Sequence, residues 1–285
     1  MELFNRVKSI LINPKEEWEI IEAENEPHSN VFAKHLLILA LIPTLAFFAN
    51  EFLKNRNLYN EYIENGISRI ESSPVYRSNI YDTAEIKAEK ETSKTKEIAE
   101  FEENASKAFQ VEYPFSSIKW NIIFAVSLLV ILIGGAYISA AIINSLSNQF
   151  GTEKDFDQAF SLVAYSYTPL CVAGILYAFD SFTSLVLYIG LYGLFLLYLG
   201  IGPMLKPASE KKITSFIITL VVIVGVLAGL TKVAVPEIQK KIMTDEKISI
   251  LKDNHKGSEP FKIDAKTKKS IEKQMESELK NHKYY

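Results

Sequence analysis

Charge is distributed along this chain in blocks, and the blocks that lack it decide what the chain can fold into. Residues 120–144, 158–179, 181–205 and 213–231 contain no Asp, Glu, Lys or Arg, whereas 51–118 and 236–285 are dense in Lys and Glu. A helix needs about 20 apolar residues to cross the hydrocarbon layer, because each rises about 1.5 Å and no backbone polar group can be left unpaired in lipid. All four stretches meet that length. A fifth and weaker candidate, 31–50, has Lys34 and His35 near its start, where both could reach headgroups, and Pro43 inside it. Prolines are tolerable in membrane helices, where neighbouring groups re-satisfy the freed carbonyls. The mean hydropathy of +0.08 conceals this pattern because it averages two unlike materials.

The expected fold is therefore all-α: an integral membrane bundle of about five transmembrane helices, with N-terminal interfacial helices and an extramembrane helical insert. Residues 1–30 form the interfacial part, 31–235 the five-span membrane domain with the insert 51–118 inside it, and 236–285 a polar C-terminal tail. In the opening segment, Leu3, Val7, Ile10 and Leu11 recur on one helical face. Asn13-Pro14-Lys15-Glu16 reads as a new helix start with Asn13 as its cap. Trp18 on that second helix suits a membrane interface, and the two helices read either as an interfacial anchor or as amphipathic packing helices. In the insert, Tyr59, Ile63, Ile67 and Ile70 share one face, and Ile98, Phe101, Ala105 and Ala108 make a thin stripe on a second helix. Lys87–Glu91 and Lys96–Glu100 are spaced to pair on that second helix. Asp264 would cap a charged helix in the tail.

Orientation follows from Lys and Arg in short loops. With five spans, the loops holding Lys154 and Lys206, Lys211 and Lys212 share a side with Arg6, Lys8 and Lys15, while the turn at Asp180 carries no Lys or Arg. That places the N-terminus in the cytoplasm. The opening residues do not read as a signal peptide, since the first apolar run follows a Glu-rich segment.

Around the third span, Asn144 to Gly151, Asp155, and Leu162-Val-Ala164-Tyr165-Ser166-Tyr167-Thr168-Pro169-Leu170 resemble the Yip (Ypt/Rab-interacting protein) domain family. So do Asn13-Pro14-Lys-Glu-Glu-Trp18 at the start and Leu191-Tyr192-Gly193 through Gly200, Pro203 and Lys206. The resemblance covers roughly 3–50 and 118–230. It implies a cytoplasmic N-terminus, a place in a bacterial cytoplasmic membrane for a bacterial-type member and, in eukaryotic members, work in vesicle traffic through small GTPases. The eukaryotic Asp-Leu-Tyr-Gly-Pro signature is absent, and Ala164 stands where the third span usually has Gly. GTPase binding therefore does not carry over.

A net charge of -3 without a basic stripe argues against a nucleic-acid partner. Cys171 is alone, so no disulfide forms within one chain. The histidines His28, His35, His255 and His282 lack metal-ligand spacing, and no HExxH, GxSxG or P-loop occurs. No cofactor or catalytic residue is expected, and the chain reads as a non-enzyme. Glu153, Asp155 and Asp157 could hold a cation, although Asp157 also fits as a helix cap.

The most interesting cluster is Tyr165, Ser166, Tyr167, Thr168 and Pro169. Pro169 cannot donate to the Tyr165 carbonyl, so the helix loosens where hydroxyls gather. They either form a polar intramembrane site or bond neighbouring helices. Gly225 and Gly229, Gly134 and Gly135, and Gly190 and Gly193 mark helix-packing faces, within the chain or between chains. The expected function is a scaffold or adaptor organising the envelope, with membrane lipids, other membrane proteins or a second copy as partners. The alternative is a protein that moves lipid or a small solute. The spans show no buried acid or base, the usual mark of ion-coupled transport.

Overall fold

The computed structural model describes residues 2–113 and 116–254. Among these, every regular element is helical. Five helical segments are long and apolar enough to cross a membrane: His28–Glu71, Ile118–Phe150, Phe156–Ala178, Asp180–Leu205 and Ser209–Ile238. The expected tail helix near Asp264 lies outside the described residues.

The described residues divide into two compact units, one of residues 2–50 with 122–236 and one of 51–113 and 116–121 with 237–254. In the first, α1 (Glu2–Ile12) and α2 (Pro14–Glu24) precede a short α3 (His28–Val31) and a π-turn at Phe32–Leu36. A long α4 follows (Leu37–Glu71). After α5 (Ala84–Glu112) come α6 (Ile118–Phe150), α7 (Phe156–Ser166) and α8 (Thr168–Ala173). The fourth span is α9 (Thr183–Gly190) with α10 (Tyr192–Leu205), and α11 runs from Lys212 to Asn254.

The core of the first unit is built from Trp18, Leu36, Ile143, Phe160, Leu162, Leu196 and Ile201, on which Ile10 of α1 is also fully buried. The helical periodicity of α1 thus points Ile10 inward, while Phe4 and Ile12 are left exposed. Of the two readings of α2, Trp18 serves the packing one. It has no exposed surface, because α2 packs on α10 where Gly200 lets the helices approach. A Cβ on Gly200 would lie 2.6 Å from the indole and 2.8 Å from Leu162. Asn13 departs from the sequence expectation: its carbonyl accepts from the Glu17 N–H at 3.1 Å, but its side chain makes no capping bond. Pro14, already fixed at a helical φ, starts α2 without one.

Polar ties join the end of α2 to a loop and to α7, and one loop between spans to another. Lys206 Nζ reaches Glu22 at 2.5 Å, Gln158 Nε2 donates to Asn25 Oδ1 at 2.7 Å, and Lys211 Nζ donates to the Gln149 carbonyl at 3.1 Å. At the turn between the third and fourth spans, Asn50 Nδ2 donates to Asp180 Oδ1 at 2.8 Å.

The second unit is an antiparallel pairing of the later turns of α4 with α5. Its interior is aromatic: Tyr62 stacks on Phe101 at 5.9 Å, and Phe109 meets Tyr59 at 5.1 Å and Tyr62 at 5.4 Å. The buried stripe of α5 contains Ala105 and Phe109, whereas Ala108 points to solvent. The larger ring wins the inward position because it removes more apolar area from water. Lys96 pairs with Glu100 at 3.8 Å, but Glu91 pairs with Lys94 at 2.6 Å. At the entry to α5, Thr83 caps Ile86 at 3.3 Å, and Lys90 ties down Asp82 at 2.8 Å and the Arg77 carbonyl at 3.0 Å. The Lys90 hydrogen bond holds the Asp82 carboxyl below the usual carboxylate range.

Candidate functional site

The π-turn at Phe32–Leu36 is the local irregularity that builds the site. One extra residue in a helical turn rotates the side chains that follow it, and such turns recur at functional positions. Here it turns His35 inward, leaving it only 2 % exposed, and leaves Lys34 facing out. His35 Nε2 lies 2.9 Å from Thr168 Oγ1, and its ring lies against that of Tyr165 with centroids 4.3 Å apart. Tyr165 in turn meets Trp18 edge-on at 6.1 Å. His35 Nδ1 is buried and has no hydrogen-bond partner.

A cleft of about 900 Å³ opens beside this pair, walled by α1, α2 and the start of the first span. Arg6 crosses it: Nη1 bonds Glu17 at 2.5 Å, and Nη2 bonds both oxygens of Glu24 at 2.7 and 2.5 Å. Partial burial disfavours the Arg6 charge, but the Glu24 hydrogen bond and the surrounding anionic field outweigh it and raise its pKa. Lys34, which also lines the cleft, pairs with Glu26 at 3.1 Å.

The cluster expected at the third span is divided among several neighbours. The helix breaks at Tyr167, between α7 and α8, one residue before the Thr168–Pro169 step. Tyr165 faces the cleft and Thr168 bonds His35. The Tyr167 hydroxyl turns the other way, toward Ser139 of α6, without a well-formed hydrogen bond. Ser166 Oγ is buried without a partner, and the Ser166 carbonyl abuts Gly193, where an added Cβ would come within 2.6 Å. The packing glycines divide likewise. A Cβ added at Gly135 would lie 2.7 Å from Leu227 and one at Gly190 3.0 Å from Leu170, whereas a Cβ added at Gly134, Gly225 or Gly229 would meet nothing within 4 Å.

Two acids of the 153–157 loop have separate tasks. Asp155, not Asp157, caps α7 by accepting from Gln158 N at 3.0 Å. Asp157 accepts from the His28 backbone N–H at 2.8 Å and contacts His28 Nδ1 at 2.6 Å, pinning the start of the first span to the third.

A sequence model of the Yip1 domain matches residues 8–230. The chain belongs to the Yip1 domain family. The matched region contains α2, the π-turn, all of the third and fourth spans and most of the fifth, so the packing of Trp18 under Gly200 lies inside it. No curated protein and no solved structure matches the chain. Together with five apolar helices of crossing length, family membership makes this Yip1-domain chain a multi-pass membrane protein.

His35 is the functional candidate that the sequence reading missed. Placed near the boundary of the first span, it looked able to reach headgroups. Its side chain is instead buried, which overturns the reading that the spans lack a buried acid or base. The available signal was an ionisable residue within a span, which in membranes is a functional candidate by default.

Proposed function

We propose that this Yip1-domain protein is a non-catalytic scaffold or adaptor of a bacterial cytoplasmic membrane, with its N-terminus in the cytoplasm. The observation that carries this reading is the hairpin of α4 and α5, a compact unit with its own aromatic interior. Its outer faces are rich in charge, including exposed Glu89, Glu102, Glu103 and Lys107. A connection between two spans that builds its own interior is equipped to present a surface to partners. The orientation draws support from the cationic loop residue Lys206 bonding Glu22 of α2. By the count of spans, the hairpin then lies on the envelope side.

Photo-cross-linking residues placed at Glu102 and Lys107 in growing cells test the adaptor role. Discrete protein adducts are expected, and lipid adducts alone would overturn it. For orientation, single cysteines at Ser209 and Ser93 in a Cys171→Ala background should label from opposite sides. The second reading, movement of lipid or a small solute, draws on the open cleft beside Tyr165. Against it, Phe160, Leu162, Tyr167 and Ile201 fill the interior behind that residue.

A further inference from the structure

We propose that the cleft between α1, α2 and the π-turn of the first span holds the headgroup of an ethanolamine phospholipid, with an acyl chain lying along α4. The cleft is within the size range of small-molecule sites, about 300–1,000 Å³. Its charges select the class of ligand. Arg6 and Lys34 face Glu17, Glu24 and Glu26, and Arg6 alone is shared between Glu17 and Glu24. One carboxylate therefore exceeds the cations. An anionic lipid would add to that excess, whereas a primary ammonium donates to it and brings its own phosphate for the donors of the cleft.

The phosphate has donors waiting. Lys34 is bonded only on one side, to Glu26, and its side chain is 60 % exposed. His35 supplies the second. When the Thr168 hydroxyl donates to Nε2, the ring proton sits on Nδ1, the atom that has no partner inside the protein. A buried N–H left unpaired costs about 1–3 kcal/mol, so its retention beside an open cleft calls for an acceptor from outside. The Tyr165 hydroxyl lines the same wall.

The hydrocarbon side of the cleft distinguishes a lipid from a soluble phosphate compound. Ile38 lines it, and Leu41 and Leu45 continue one and two turns further along the same face of α4. Their exposures are 44 %, 36 % and 60 %. This apolar track begins at the polar wall, as the junction of headgroup and chain requires. The inference does not depend on the adaptor reading, since partners of the hairpin and a ligand of the cleft are measured separately.

The experiment uses the purified full chain in detergent, with mixed micelles of dioleoyl-phosphatidylethanolamine, -phosphatidylglycerol or -phosphatidylcholine. Bound lipid is counted by native mass spectrometry and thermal midpoints are followed alongside. The ethanolamine lipid should bind saturably and about tenfold or more tighter than the glycerol lipid, as expected for one added charge-assisted contact. Glu24→Gln removes one carboxylate of the cleft, equalising acids and bases, and should abolish that preference. Thr168→Val frees the tautomer of His35 and should weaken binding of the ethanolamine lipid. Lys34→Gln, at an exposed position, should weaken ethanolamine and glycerol lipids alike, and it carries the test if Glu24→Gln does not fold. Free phosphoethanolamine at the same concentration should produce no shift. Equal or tighter binding of the glycerol lipid overturns the proposal, as does preference unchanged in Glu24→Gln. Equal binding of free phosphoethanolamine overturns the lipid assignment in favour of a soluble solute.

Discussion

Gly200 and Gly66 would each set an added Cβ against an aromatic ring, at 2.6 Å from Trp18 and 2.0 Å from Phe101, yet the rings belong to different kinds of interior. Trp18 is enclosed by α7 and α10 and has no exposed surface, whereas Phe101 is half-buried on one side of a two-helix pair. The membrane unit holds its aromatic residues between several helices, where a displaced ring has nowhere to go. The hairpin zips rings along one seam, where a displaced ring can swing toward water. The distance of an approach therefore says less about its cost than the freedom of the group approached.

The largest expected effect tests the enclosed side of this comparison. Trp18→Ala should destabilise the membrane unit by about 3–5 kcal/mol, because the cavity lies between helices that cannot close on it. A thermal midpoint in detergent reads this directly. Trp18→Phe should cost less, since it fills part of the space and also removes an indole N–H that is buried without an acceptor. A small effect of Trp18→Ala would mean that α2 is an accessory and not part of the core.

Next comes the pair of glycines. Gly200→Ala should cost about 1–3 kcal/mol by overpacking. Gly66→Ala, despite the shorter approach, should leave the midpoint of the membrane unit unchanged and only redistribute the Phe101 ring, visible as altered protease susceptibility of the hairpin. Equal losses from both would erase the distinction drawn between the two interiors.

Deleting 81–109 should leave a protein that still inserts and melts as before, because the contacts that bury Trp18, Phe160 and Ile201 all lie in the other unit. Loss of membrane accumulation would show the hairpin to be integral to the bundle. Smaller still, Gly225→Ala and Gly229→Ala should leave the midpoint of a monomer untouched, since the added Cβ would meet nothing within 4 Å at either position. If either variant lowers stability while shifting the protein to a smaller assembly on a sizing column, that face packs against a second copy.

The smallest effect concerns acid. Because the Asp82 carboxyl is held below its ordinary range by Lys90, its contact is present above the unfolded carboxylate pKa. It is lost only as pH falls through the lower folded value. Lys90→Ala should therefore raise the pH at which the 77–82 turn loosens, measurable by amide exchange in that segment, and should leave the membrane unit unaffected.

Sequence alone determined the spans, because crossing a bilayer is a local requirement: a charge-free length sufficient for the hydrocarbon, met or not met by consecutive residues. It also pointed to two helices in the insert, through periodicity, while leaving a partly disordered insert as the alternative. Even the family was legible, in Asn13-Pro14, in Trp18 and in the run Tyr165 to Pro169. What only the tertiary structure decided is which face of each helix meets which neighbour. Trp18 has the composition of an interfacial anchor, and the approach allowed by Gly200 made it core. His35 has the position of a headgroup-reaching residue, and one π-turn rotated it against Thr168 and Tyr165. Of the consecutive hydroxyl residues, Tyr165 and Thr168 are three apart and both meet His35, whereas Ser166 and Tyr167 between them turn to other neighbours. A polar site in a bundle is made by side chains distant in sequence, such as Arg6, His35 and Tyr165, and their convergence depends on helix rotations that consecutive residues do not encode.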